Sequence, residues 1–279
     1  MLTSKTKIYG LLGYPIKHSF SPLIHNAAFE AEKIDACYLC FETKPEDIKQ
    51  AIEGIRALNI QGVNLTIPHK EICLSYLDEI DKNAEFIGAV NTIVRKENKL
   101  IGYNTDGEGF IKALKEDLDF DSKDKTIFLF GAGGAGKAIG MSLAKYGAKQ
   151  IFIVDKNKKK ARALAENIKE NFPNTIAELT HSHNQEAIKA SHLLVNATPI
   201  GMNPNDNLMI NPVYFPQQLN IFDLIYNPRE TKLLRIAKKK GLKAVNGLGM
   251  LIHQATLSFE LWTGEKAPLA VMKEAVEKK

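Results

Sequence analysis

The chain is poor in the residues that staple small secreted folds. It has three cysteines among 279 residues, too few for a disulfide framework. Cys37 and Cys40 form a nominal C-x-x-C inside the strand-like run Ala36-Cys37-Tyr38-Leu39-Cys40-Phe41. Residues three apart on a strand face opposite ways, so this pair is a poor chelator of one metal. Cys73 stands alone in a helical pattern, and all three read as small core residues. The single tryptophan, Trp262, reads as core on a long helix. His18, His25 and His69 lack metal-ligand spacing, and no metal is expected. No apolar run is long enough to cross a bilayer, and Met1-Leu2-Thr3-Ser4-Lys5 leads almost directly into a strand with no signal peptide. These absences point to a cytoplasmic protein with no membrane partner. There is no internal repeat or low-complexity segment.

What charge excess there is, +5, comes from 37 basic against 32 acidic residues. Part of it is local, at 156–160 and 238–240, where lysines open or close predicted helices. A nucleic-acid binder gathers basic residues with aromatics on one face. Here solvated surface is the better reading, and a mild positive balance suits anionic small molecules. The length allows two domains with real cores.

The pattern alternates strand and helix. Strands are expected at 8–12, 36–42 and 63–67, with helices at 22–33, 45–58 (Thr43 as N-cap) and 69–80. Period-two segments at 88–95 and 99–103 flank Glu97-Asn98 as a hairpin. A helix at 107–118 and a polar linker at 119–125 lead to a second unit, with strands at 126–130, 150–154, 176–179, 193–196, 221–224 and 243–245. Helices at 250–262 and from about 268 close the chain, free to pack back on the first unit. Such alternation indicates α/β architecture with parallel sheets.

The second unit opens on Ile127-Phe128-Leu129-Phe130 followed by Gly131-Ala132-Gly133-Gly134-Ala135-Gly136, a strand and a glycine turn that opens a helix. A second strand, Ile151-Phe152-Ile153-Val154, ends on Asp155. In this layout the glycines allow a tight turn, close approach to a pyrophosphate and close helix–strand packing. It predicts a dinucleotide. A carboxylate at position 155 can accept hydrogen bonds from a ribose and repels a 2′-phosphate, which favours NAD. Lys156, Lys158 and Lys160 pull the other way, so NADP is not excluded.

In the first unit, Ser19 and Ser21 precede Pro22, and their hydroxyls can face one ligand or simply cap a helix. Asn64-Leu65-Thr66-Ile67-Pro68-His69-Lys70 closes the third strand, at the end of a parallel sheet where ligands bind. Polar residues at the ends of apolar strands, here and at 88–92 and 102–107, are costly unless paired or used.

Taken together, 13–26, 64–70, 88–92, 102–107, 131–136, 196–202, 223–228 and 246–255 resemble the shikimate dehydrogenase family, in the family's order and over nearly the whole chain. The resemblance implies an N-terminal substrate-binding domain (1–106 plus 247–279), a Rossmann-like dinucleotide-binding domain (107–246) and a cleft between them. It implies reversible hydride transfer between shikimate and 3-dehydroshikimate in chorismate and aromatic amino-acid biosynthesis, by a monomer or homodimer. By resemblance, Lys70 and Asp106 are the catalytic pair. Ser19 and Ser21 bind the substrate carboxylate. Thr66, Asn91 and Gln254 meet ring hydroxyls together with Asp106, and Asn64 and Tyr226 complete the substrate side. Gly131, Ala132, Gly133, Gly134, Ala135, Asp155, Lys156, Lys160, Thr198 and Gly247 hold the cofactor. An ammonium such as that of Lys70 is a good proton donor to a ketone.

One departure stands out. NADP-dependent biosynthetic members carry Asn-Arg-Thr where this chain has Asp155-Lys156-Asn157, and NAD-using quinate/shikimate dehydrogenases are more similar there. Paired serines at 19 and 21 resemble the shikimate-selective pattern. A catabolic quinate/shikimate enzyme is therefore the near alternative, and a ligand-sensing regulator without catalysis the more distant one. The intact Lys70–Asp106 pair argues against the latter.

Overall fold

The structure is a computed structural model that describes residues 2–277. The chain divides into two compact units, Met1–Gly109 with Leu251–Lys279, and Phe110–Met250. Residues 1, 278 and 279, at the ends of the expected first domain, lie outside the described residues.

In the first unit, β1 (Lys7–Gly13) leads through α1 (Ser21–Ala31) to β2 (Ala36–Glu42). A 3-10 turn at Pro45–Asp47 precedes α2 (Ile48–Ala57), which leads to β3 (Gly62–Leu65). Ile48, Ile52 and Ile55, spaced along one face of α2, are buried in a core with Leu12, Val63 and Leu65, as helical periodicity requires. Next come α3 (His69–Ile72), β4 (Glu79–Ile80), α4 (Lys82–Ile87), β5 (Thr92–Lys96), β6 (Lys99–Tyr103) and α5 (Asp106–Leu118), most of whose residues belong to the second unit. The sheet runs β2-β1-β3-β5-β6-β4. β5 and β6 form the antiparallel hairpin expected at Glu97-Asn98, while β1 is parallel to both β2 and β3.

Four local expectations need correction. Thr43 is not an N-cap: its hydroxyl bonds the Phe41 carbonyl, and Pro45 opens a 3-10 turn instead. The helix expected at 69–80 stops at Ile72 and tightens into a 3-10 turn at Cys73–Tyr76. The chain then turns extended, because the Asp78 carboxylate takes the Leu100 amide at 2.6 Å and draws in β4. The strand expected from 88 is preceded by α4, capped by the Asp81 side chain and ended by Gly88 at φ 70°. A helix this short is too brief to register a helical period. Finally, Cys40 is exposed and Cys37 half-buried, because β2 is an edge strand. That edge is blocked in its middle by Asn26, whose amide bonds both the Tyr38 N–H (2.8 Å) and the Tyr38 carbonyl (3.0 Å).

The second unit is a parallel sheet. Its elements are β7 (Thr126–Phe130), α6 (Gly134–Lys145), β8 (Gln150–Val154), α7 (Lys158–Asn171), β9 (Ile176–Leu179), α8 (Gln185–Ala190), β10 (Leu193–Asn196), β11 (Asn220–Asp223), α9 (Lys232–Lys239) and β12 (Ala244–Asn246). The order β12-β11-β10-β7-β8-β9 reverses between β7 and β10. Open parallel sheets bind ligands beyond the strand ends at such a reversal. The buried strands carry aromatic and branched residues on both faces, with Phe128, Phe130, Leu194 and Ile221 on one side and Ile127 and Leu129 on the other.

After β12, α10 (Leu248–Thr263) and α11 (Leu269–Glu277) follow. α11 packs on α1 within the first unit. Trp262 on α10 lies over Gly62, where a side chain would collide with the indole, and its Nε1–H donates to the Ile93 carbonyl at 3.0 Å. Among the described residues no helix is long and apolar enough to cross a membrane.

Candidate functional site

In the first unit, the predicted polar residues converge at the ends of β3, β5 and β6. Lys70, on α3, has its Nζ 2.5 Å from Asp106 Oδ2. Asp106 is the first residue of α5, and its backbone N–H is held by Asn104 Oδ1 at 3.0 Å. Its other oxygen, Oδ1, accepts from Asn91 Nδ2 at 2.9 Å. That nitrogen also lies 3.2 Å from Gln254 Oε1. Gln254 comes this close because Gly109 leaves room: a Cβ there would sit 2.7 Å from the Gln254 backbone nitrogen. The Lys70 and Asp106 side chains are 15% and 4% exposed, so water screens their attraction only weakly.

Behind this pair lies a buried network. The Thr105 N–H donates to Asn91 Oδ1 at 2.8 Å, which fixes the amide's orientation. Thr92 and Ser258, both fully buried, approach each other to 2.8 Å. The Ser258 hydroxyl donates to the Gln254 carbonyl and accepts from Asn64. Asn64 is engaged throughout: its amide nitrogen also reaches Thr92 and the Asn91 carbonyl, and its oxygen accepts from Tyr38 Oη at 2.8 Å. Sequence reading missed Tyr38 and Ser258, and it named Thr92 and Thr105 only as parts of polar strand-end segments. Ser258 had a signal, a hydroxyl one helical turn after Gln254 on an apolar helix.

Ser19 and Ser21 share a hydroxyl contact at 3.2 Å, and Ser19 Oγ accepts the Ser21 N–H. Ser21 does not cap α1; it is the helix's first residue, after Phe20 at the cap position. Thr66 follows β3, its N–H on the Leu12 carbonyl. His69, next to Lys70, faces inward and bonds the Thr43 carbonyl at 2.8 Å. His25 is buried and stacked on Tyr38 at 4.4 Å between centroids. Burial pushes its pKa down to about 3, against an opposing contribution from Asn64.

The second unit carries the glycine turn. Gly131 has φ +99°, and a Cβ there would lie 2.7 Å from the Ala197 carbonyl oxygen, so only glycine suits. Gly136 backs directly onto the Gly131 carbonyl. Gly133 opens onto empty space, and the turn leads into the N-terminus of α6, an end that favours negative charge. Gly134 and Ala135 form the first turn of α6. Thr198 is tied to Asn196 through its N–H and hydroxyl. Gly247 lies against the Leu224 carbonyl with no room for a side chain, next to the segment that carries Tyr226. Among the described residues no group of side chains could hold a metal ion.

Asp155 serves the turn itself. Its Oδ2 accepts the Ala132 N–H and its Oδ1 the Asn157 N–H, each at 2.7 Å. Lys156 is exposed and Lys160 half-buried beside it.

Three family models match: shikimate dehydrogenase substrate binding domain (residues 11–93), shikimate/quinate 5-dehydrogenase (112–233) and shikimate 5′-dehydrogenase C-terminal domain (247–277). A shikimate dehydrogenase (NADP(+)) of Desulforamulus reducens is 44% identical over 282 residues, covering 99% of this chain and 97% of its own. A shikimate dehydrogenase crystallised with NADP+ has TM-score 0.91 at 43% identity, covering 100% of this chain and 97% of that one. Shikimate 5-dehydrogenase from Thermus thermophilus, in complex with NADP(H) and shikimate, has TM-score 0.87 at 35% identity, with 98% and 99% covered. These relatives correct the expectation of NAD over NADP: the Desulforamulus reducens enzyme is named for NADP+, and both solved structures described above hold NADP. The physical reason lies in the turn, since both Asp155 oxygens already hold backbone amides and the carboxylate braces the loop. Motif models across both units and whole-length identity above two-fifths lead to one conclusion: the chain belongs to the shikimate dehydrogenase family.

Proposed function

We propose that this chain catalyses reversible hydride transfer between shikimate and 3-dehydroshikimate, with NADP as hydride carrier, as a step toward chorismate and the aromatic amino acids. The observation that carries the reading is the Lys70–Asp106 contact at 2.5 Å, with the Asn91 amide on the second Asp106 oxygen. When bound, the nicotinamide supplies or removes a hydride at the ring carbon. During ketone reduction the Lys70 ammonium gives a proton to the forming alkoxide oxygen, and during oxidation the neutral amine takes it back. Asp106 holds the lysine nitrogen in place and, with Thr66, Asn91 and Gln254, meets the ring hydroxyls. Asn64 acts from behind, through the Asn91 carbonyl. The Ser19 and Ser21 hydroxyls bind the substrate carboxylate without adding charge, and Tyr226 contacts the ring.

The cofactor fits the second unit's turn. Gly131, Ala132, Gly133, Gly134 and Ala135 would hold the pyrophosphate, with Thr198 and Gly247 on the nicotinamide side. Lys156 and Lys160 would neutralise the 2′-phosphate as point charges, while Asp155 keeps the turn in shape. Three unpaired cysteines suit a reducing cytoplasm as the place of work.

The test is a two-by-two assay of the purified chain, shikimate and quinate each with NADP and NAD. Shikimate with NADP should give the highest kcat/KM. No shikimate oxidation with either cofactor would overturn the proposal.

A further inference from the structure

Asp223 ends β11 with its carboxylate completely buried. Three neutral donors hold it. The Thr231 hydroxyl lies 2.6 Å from Oδ2, and Asn196 Nδ2 and the Ile225 N–H lie 2.9 and 3.2 Å from Oδ1. Burial pushes its pKa up, and these donors oppose that. A carboxylate in such a place is expensive without a cation, so its bonds need to be well made.

Each donor belongs to a different segment. Asn196 ends β10, in register with Asp223 on the neighbouring strand. Its amide nitrogen also holds the Ile200 carbonyl, and its oxygen holds Thr198. Ile225 begins the segment that runs through Tyr226 to Arg229. Thr231 caps α9 through the Leu234 N–H. One carboxylate thus ties together the loop after β10, the loop after β11 and the start of α9.

The strand order says what those loops face. β10 and β11 lie on one side of β7, whereas β8, with Asp155 and the lysines, lies on the other. A dinucleotide whose pyrophosphate sits at the β7 turn straddles this divide, with adenosine over β8 and the other half over β10 and β11.

We infer that Asp223 is a positioning residue for the nicotinamide half of the cofactor, acting through the loops that carry Thr198 and Tyr226. The inference rests on the cofactor reading above. It touches neither the adenosine half nor the substrate hydroxyls.

The test compares two probes, NADPH followed by its own fluorescence and adenosine 2′,5′-bisphosphate followed by calorimetry. In Asp223→Ala the Kd for NADPH should rise about tenfold or more, while that for the bisphosphate stays within about twofold. Asp223→Asn should stay within about threefold of the parent for NADPH, since its oxygen can accept from Asn196 and Ile225 and the Thr231 hydroxyl can turn to accept. Equal weakening of both probes would mark a general structural role and overturn the inference, as would no change in either. If Asp223→Ala does not fold, Thr231→Val decides. It removes one donor and should weaken NADPH alone by about threefold to tenfold, and unchanged NADPH binding would overturn the inference. Shikimate turnover is not an input, so a failed activity assay would sink the functional reading and leave this test intact.

Discussion

Asn91 meets Asp106 with its amide nitrogen, Nδ2 to Oδ1 at 2.9 Å, because the Thr105 N–H has already claimed the amide oxygen. A carboxylate with one oxygen on Asn91 and the other on Lys70 has no rotational freedom left. The ammonium is therefore held at a defined point, which is what proton transfer to a ring oxygen needs.

Removing either member of the pair should show in turnover. Lys70→Ala and Asp106→Ala should each lower kcat by about 10²-fold or more, the scale of acid–base catalysis. Steady-state shikimate oxidation with NADP checks this, and near-normal turnover in either variant would refute the proton-transfer role. The double variant should cost little more than the worse single one, since the two side chains act as a unit.

The cofactor end makes a separate forecast. Because Asp155 holds backbone amides on both oxygens, Asp155→Ala should loosen the turn and raise KM for NADP and NAD alike. The ratio of kcat/KM for the two cofactors should change by less than about threefold, since no group that reads the 2′-phosphate is lost. Lys156→Glu should instead cut kcat/KM for NADP by about tenfold while sparing NAD, about the worth of one charge-assisted contact. A large shift toward NADP in Asp155→Ala would show that the carboxylate repels the phosphate after all.

His25 sets a pH dependence of stability. Its ring is fully buried, and burial lowers its pKa from 6.5 to about 3. The unfolded chain therefore binds a proton near pH 6.5 that the folded chain refuses until about pH 3. This contribution to stability is complete above the unfolded pKa and is lost as pH falls through that window. From pH 7 to pH 5 the loss should be about 2 kcal/mol. Urea unfolding at the two pH values measures it. His25→Phe should flatten the difference, whatever its absolute stability, and an unchanged pH slope in that variant would discard the assignment.

Much of this is legible in the sequence, for identifiable reasons. The strands of the second unit fall within a residue of expectation because each is an apolar run bounded by turn residues, Thr126–Phe130 and Gln150–Val154 among them. The Gly131 turn is readable because its backbone geometry admits no other residue. What escapes is what no local pattern encodes. α4 is too short for a period, and the break after Ile72 depends on Asp78 reaching a strand 22 residues away. Asp155 reads as a ribose ligand because type and position in the chain do not reveal which backbone amides a carboxylate will meet. Ser258 joins Thr92 across 166 residues, a separation over which sequence carries no geometric signal.

The division of the chain has a consequence for how the molecule is made. Residues 110–250 form one unit without interruption, whereas the other unit needs both 1–109 and 251–279. α11 packs on α1, and the Trp262 indole closes over Gly62 on β3. During synthesis domains generally fold as units in the order they emerge. Here that order inverts: the middle of the chain can finish first. The amino-terminal sheet must wait, with its α1 face open, for the last helices to leave the ribosome.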